Sequence, residues 1–209
     1  MKWNTIRMEN PPPGSHLARC ISLIDLGTQS HQGFQGGQPW NSRDVRIVWE
    51  LPGLVMDGRY KPEVKGKTFR VSMTVKQSLH PSAKLRKFLQ SWRGKTFTAE
   101  ELEKFDPKSI VGRACRITLV ENNGYVNVDG IAPLSTGEKC PKQVYPSVVF
   151  SLEKDEFDQK VYAALPEPLR KKISASPEFR ALFGTDDADD PGGHEGEPEP
   201  EEFGGDVPF

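Results

Sequence analysis

Alternation of apolar and polar residues is clearest over Lys67–Leu79, KTFRVSMTVKQSL. Phe69, Val71, Met73 and Val75 fall on one side, and Arg70, Ser72, Thr74 and Lys76 on the other. Such a period of two predicts a half-buried strand. RDVRIVWEL (Arg43–Leu51) repeats the pattern, with Val45, Ile47 and Trp49 on the apolar side. HLARCISLIDLG (His16–Gly27) is equally apolar, but its alternation is mixed, as in a strand that bends or bulges. Between these two lies TQSHQGFQGGQPWNS (Thr28–Ser42), which reads as a Gly/Gln-rich loop. The period becomes helical in HPSAKLRKFLQSWRG. There Leu85, Phe88, Leu89 and Trp92 recur at i, i+3, i+4 and i+7, with Pro81 suited to the first turn and Gly94 to the end. Thr98 and Glu101 are spaced as a capping box, so a second short helix starts there. ACRITLV (Ala114–Val120), an Asn-Gly turn signal and YVNVDGIAPL (Tyr125–Leu134) read as a hairpin.

The resulting order, β-β-β-α-β-β over residues 15–134, is that of a five-stranded OB-fold barrel with its helix between strands three and four. Residues 151–183 carry two or three short helices that would pack on the barrel. From Thr185 the chain is Asp, Glu, Gly and Pro, a composition that cannot bury enough apolar surface to fold alone. The expected organisation is thus mainly β with α. Residues 1–150 form the OB domain, 151–184 a helical extension, and 185–209 a disordered acidic tail with an apolar tip.

Net charge sharpens this division. The 209 residues carry 28 Lys+Arg and 29 Asp+Glu, a formal net charge of -1. Ten of the acids, and none of the bases, lie beyond residue 184, so the remaining 19 acids face 28 bases. The body is about +9 and the tail -10. Such asymmetry indicates a polyanion-binding body, an interaction tail, or both. Cys20, Cys115 and Cys140 are far apart in sequence, without a zinc or disulfide spacing, which fits reduced thiols in a reducing compartment. The first residues have no signal-peptide core, and no run is long and apolar enough for a membrane span. A cytoplasmic protein without membrane partner or cofactor is expected.

Single-stranded nucleic acid is held by a cationic groove that follows the phosphates and by rings on which bases stack. Candidate stacking residues are Phe34 and Trp40 in the first loop, Tyr60 between Arg59 and Lys61, and Tyr125 beside the Asn-Gly turn. Candidate phosphate contacts are Arg43, Arg46, Arg59, Lys61, Lys65, Lys67, Arg70 and Lys76, clustered around strands two and three. A second basic group, Lys84, Arg86, Lys87, Arg93 and Lys95, reads as a solvated helix face. Other chemistries are less well supported. Gly66-Lys67-Thr68 and Gly94-Lys95-Thr96 end like a phosphate-binding loop, but Lys61 and Leu89 stand where that loop needs its earlier glycine. Glu63-x-Lys65 with Asp57 and Asp44 has the residue types of a Mg²⁺-dependent nuclease, yet lies in a Gly/Pro-bounded turn rather than on a core strand. No Ser/His/Asp set is recognisable.

The chain ends on Asp206, Val207, Pro208 and Phe209 behind Glu201 and Glu202. This acidic, Gly/Pro-rich ending resembles the tip of bacterial-type single-stranded DNA-binding proteins. It departs from that pattern in having one acid directly before the apolar residue, preceded by Gly204 and Gly205. SLHPSAKLRKFLQSWRGKTFTAEELEKFD (Ser78–Asp106) resembles a segment of phage-encoded OB-fold proteins of the same activity. The resemblance implies a non-enzymatic protein that coats single-stranded DNA in replication or recombination. Its tip would recruit replication or recombination proteins, and the tail would compete with DNA. Self-association is compatible with it. The rival readings are the nuclease, and an interaction protein whose acidic tail mimics DNA. An RNA ligand for the same barrel also stays open.

Overall fold

The computed structural model describes residues 9–33 and 36–183. Its centre is a six-stranded sheet. The five long strands are β1 (Gly14–His31), β2 (Trp40–Val55), β3 (Thr68–Lys76), β4 (Ala114–Asn122) and β5 (Tyr125–Ala132), antiparallel in the order β3-β2-β1-β4-β5. β3 and β5 approach each other, but no ladder joins them among the described residues, so the sheet is open. A sixth strand that the alternation did not reveal, β6 (Val148–Phe150), pairs parallel with the middle of β1 through Ser22, Leu23 and Ile24. Three residues are too few to show a period.

The first hairpin is also longer than expected. β1 runs on to His31 and β2 starts at Trp40, so much of the Gly/Gln-rich segment is strand. Polar side chains make this possible at an exposed hairpin end. Ser30 Oγ donates to Asn41 Oδ1 at 2.8 Å, and Ser42 Oγ to Asp44 Oδ1 at 2.8 Å. The irregularity expected in β1 is two register shifts, between Cys20 and Ser22 and between Asp25 and Gly27. Each extra residue breaks the alternation, and this lets one strand feed two cores. Ala18, Cys20 and Leu23 join the inner core with Val45, Ile47, Trp49, Val71 and Ile117. Ile24 and Leu26 join a second core with Phe150, Leu165, Leu169 and Ile173.

Helix α1 (Lys84–Arg93) packs against both β3 and β5. Leu85, Phe88, Leu89 and Trp92 are its buried face, and Trp49 lies 5.7 Å from Phe88 and 6.0 Å from Trp92, ring centre to ring centre. The helix ends at Gly94 as expected, but starts at Lys84, with Pro81 in the turn before it. The capping box of Thr98 and Glu101 opens α2 (Ala99–Glu103). Asn123 (φ 52°) and Gly124 (φ 83°) form the β4–β5 turn, where left-handed backbone at both central residues matches strand twist.

Helices α3 (Gln159–Ala164), α4 (Glu167–Ser174) and α5 (Pro177–Phe183) cover the second core. Burying an aliphatic side chain such as Ile173 there contributes roughly 1.5–3 kcal/mol. The α4–α5 junction is pinned to β1 at Gly27. Glu178 accepts hydrogen bonds from Thr28 N (2.8 Å) and Thr28 Oγ1 (2.6 Å). Burial alone would raise its carboxyl, but these donors outweigh burial and hold it below the usual range. At Gly27 (φ 70°) a Cβ would lie 2.4 Å from Ser176 Oγ. Gly27→Ala therefore combines left-handed strain with a clash and is expected to destabilise the fold by roughly 1–3 kcal/mol, readable as a lower urea midpoint.

Candidate nucleic-acid interface

β2 and β3 turn Val45, Ile47, Trp49 and Phe69, Val71, Met73 inwards. Register then places their other residues in pairs on the outer face: Asp44 opposite Lys76, Arg46 opposite Thr74, Val48 opposite Ser72, Glu50 opposite Arg70. The sequence-predicted cations divide along this geometry. Lys76 is exposed at one end of the row; Arg46 and Arg70 are half-buried within it. Lys65 and Lys67 are exposed, and Lys61 half-buried, in the β2–β3 connection, which carries a 3-10 turn over Pro62–Val64. Arg59, also there and exposed, is paired with Asp57 at 3.0 Å. The Arg59 N–H and guanidinium hold the Asp57 carboxyl below its usual range, and Asp57 in turn raises Arg59.

Arg43 follows the last irregularity of the β1–β2 ladder and bonds Asp25 at 2.5 Å and Glu153 at 2.9 Å. Its hydrogen bond to Asp25 raises its pKa further. Its charge is paired with the protein's own carboxylates.

Three of the four predicted rings lie at sheet ends and are solvent-accessible. Tyr60 (42% exposed) sits in the β2–β3 connection, and Tyr125 (52%) opens β5 beside the β4–β5 connection. Residues 9 and 10 tie these two connections together. The Glu9 carboxylate accepts from Asp57 N (2.8 Å) and Gly58 N (3.1 Å), while Asn10 Nδ2 donates to Gly124 O (2.8 Å). Trp40 (50% exposed) lies at the other end of β2. It stacks on His31, with centroids 5.1 Å apart and planes 17° apart. His31 is itself held by Asp44 (3.1 Å) and Ser42 (3.0 Å), so one face of the indole is backed and fixed. Phe34 and the tip residues Asp206, Val207, Pro208 and Phe209 lie outside the described residues.

A segment that sequence reading passed over lies on the same outer face. Residues 133–147 run from β5 to β6 across the β2–β3 row. They are fastened by Glu50, whose side chain is wholly buried (0% exposed). Its carboxylate accepts from Thr68 Oγ1 (2.8 Å), Val144 N (2.9 and 3.0 Å to its two oxygens) and Tyr145 N (3.1 Å). The Arg70 guanidinium lies 4.2 Å from the centre of the Tyr145 ring. Arg19 holds the middle of the same segment through Cys140 O (3.1 Å) and Pro141 O (3.2 Å). Lys139 and Lys142 are exposed along it. The available signal was the mixture of basic residues and a tyrosine in KCPKQVYP, but it follows no period.

Cys115 and Cys140, distant in sequence, converge on Ala18, and the Cys20 thiol donates to Ser22 O. The thiols of Cys115 and Cys140 approach the Ala18 carbonyl at 3.7 and 3.5 Å. Burial pushes Cys20 up to about 12 and raises the other two, so all three are poor nucleophiles. Of the nuclease reading's residues, Asp57, Glu63 and Lys65 share the β2–β3 connection, and Asp44 does not. Asp44 is buried beside His31 at one end of β2, whereas Asp57 and Glu63 lie beyond its other end. No group of three His, Cys, Asp or Glu is placed to hold a metal among the described residues, and none of their helices is long and apolar enough to cross a membrane. Comparison with protein families, with curated proteins and with solved structures returns no match.

Proposed function

We propose that this chain is a non-enzymatic single-stranded DNA-binding protein whose sheet is an OB-fold barrel, working in the cytoplasm where DNA is copied or recombined. One observation carries the reading: three accessible rings, Trp40, Tyr60 and Tyr125, stand at the ends of the sheet, with Lys61, Lys65 and Lys67 in the β2–β3 connection and Arg70 and Lys76 on the outer side of β3. Strand order and a helix set between β3 and β5 support the OB assignment. Bases would stack on the rings while the lysines meet phosphates. Neither contact reads base edges, so binding is largely independent of sequence and weakens with salt as counterions are released.

The acidic tail would compete with DNA for this face, and its tip, Asp206 to Phe209, would recruit replication or recombination proteins once displaced. The charge split of +9 against -10 motivates this. Titrating tryptophan fluorescence with oligo-dT tests both ideas. The full chain is expected to be quenched. A chain ending at residue 184 should bind about 3- to 10-fold tighter at low salt, an advantage that disappears as screening lengths shorten. No quenching in either form rejects DNA binding; equal affinities reject tail competition. Cleavage of labelled DNA in the presence of Mg²⁺ would favour the nuclease, and a parallel titration with oligo-rU reports on RNA.

A further inference from the structure

A cavity of about 660 Å³ opens on the inner side of the sheet, away from the outer β2–β3 face. Its floor is apolar and includes Leu23, Ile47, Leu89 and Phe150. Its volume lies within the ~300–1,000 Å³ typical of pockets that enclose a compact apolar group. Its rim holds four carboxylates, Asp25, Asp106, Glu153 and Glu156, against two cations. Both cations are already taken: Arg43 by Asp25 and Glu153, Lys108 by Glu156. The mouth therefore carries a net charge of -2 and should select a positively charged, apolar occupant.

The chain has two terminal segments outside the described residues, and charge decides between them. Residues 184–209 bring ten acids and no base, so the rim repels them. Residues 1–8, MKWNTIRM, bring Lys2 and Arg7 and no acid, with Trp3, Ile6 and Met8 as apolar side chains. Reach then decides whose segment it is. Glu9 is fixed to the amides of Asp57 and Gly58, beyond the end of β2. Trp3 lies six residues earlier, at most about 21 Å away at ~3.5 Å per residue. The stretch of β3 from Thr68, opposite Val55, to Lys76, next to the cavity residue Gln77, alone covers about 26 Å at ~3.3 Å per residue.

We infer that this acid-rimmed cavity receives residues 1–8 of a second copy of the chain, with Trp3 as the anchor and Lys2 and Arg7 against Glu153 and Glu156. Each copy then offers one arm and one cavity. Such a contact can be exchanged reciprocally within a dimer or repeated along a row of subunits. Such a row would suit a protein that coats a strand, but the inference does not depend on DNA binding.

Sedimentation velocity of the full chain, without DNA and at low salt, tests it. The average mass should rise above the 23.4 kDa monomer as concentration increases. Trp3→Ala should weaken association at least tenfold, because buried tryptophan anchors dominate such contacts. Lys2→Glu with Arg7→Glu should do the same, as should Glu153→Lys with Glu156→Lys. A mixture of these two charge-reversed proteins should associate again, which damage to either fold would not produce. A constant monomer mass, association untouched by Trp3→Ala, or failure of the mixture to associate would each overturn the inference. Because oligo-dT titration is a separate measurement, failure of the arm contact and failure of the DNA-binding reading are distinguishable.

Discussion

Replacing Trp40, Tyr60 and Tyr125 together with alanine is expected to weaken oligo-dT binding by at least 100-fold while leaving the fold intact. All three rings are well exposed and none belongs to either apolar core, so their removal opens no cavity. Each base–ring stack is worth about 1–3 kcal/mol. Even the low end, summed over three rings, exceeds two decades of affinity. The slope of log affinity against log salt should stay the same, because the lysines that displace counterions remain. The converse variant, Lys61, Lys65 and Lys67 to glutamine, should flatten that slope. Fluorescence anisotropy of a labelled oligonucleotide reads both quantities, with circular dichroism as the fold control. Unchanged affinity in the triple-ring variant would remove the stacking model.

Glu50→Leu should be the most damaging single change on the outer face. A leucine fills the space but accepts no hydrogen bond. Thr68 Oγ1 and the amides of Val144 and Tyr145 would lose their acceptor. A buried donor left without a partner costs roughly 1–3 kcal/mol. The two amides can escape that cost by letting residues 133–147 swing into water, which forfeits the Arg70–Tyr145 contact instead. The expected loss is about 3 kcal/mol in urea unfolding, with amide exchange at Val144 and Tyr145 faster by at least tenfold. Glu50→Gln, which keeps one accepting oxygen, should fall between. Unfolding and exchange unchanged from the parent would mean that this carboxylate does not fasten the segment.

The physical character of each element explains which parts could be read from sequence. β3 and α1 were legible because one face is apolar and the other wet, so Phe69 to Val75 and Leu85 to Trp92 carry their own period. β1 was legible only as an irregular strand, since it is buried on both faces and shifts register twice. The Asn123-Gly124 turn and the Thr98–Glu101 box were legible because their chemistry is local. Long-range partners were not. Nothing near Arg43 foretells Asp25 and Glu153, so its pairing could not be read locally. Nothing in the alternation of β2 foretells that Glu50, on the wet side of the pattern, is covered by a segment about 94 residues away. Exposed rings at Trp40, Tyr60 and Tyr125 were legible because Gly, Pro and Asn flank them and keep them off the apolar faces.

β1 sets its side chains back to back in two cores, and this governs how the molecule can come apart. Melting the helical layer would wet Ile24 and Leu26 and unseat the strand that holds Leu23 against Ile47. Breaking the inner core would free the same strand from the helices. The two halves share this one strand, so heat should release them in one transition. Residues 151–183 are therefore not a detachable appendage, even though composition and strand order alone would allow a cut after residue 150. Such a fragment would keep every long strand of the sheet and still leave one side of β1 without a cover.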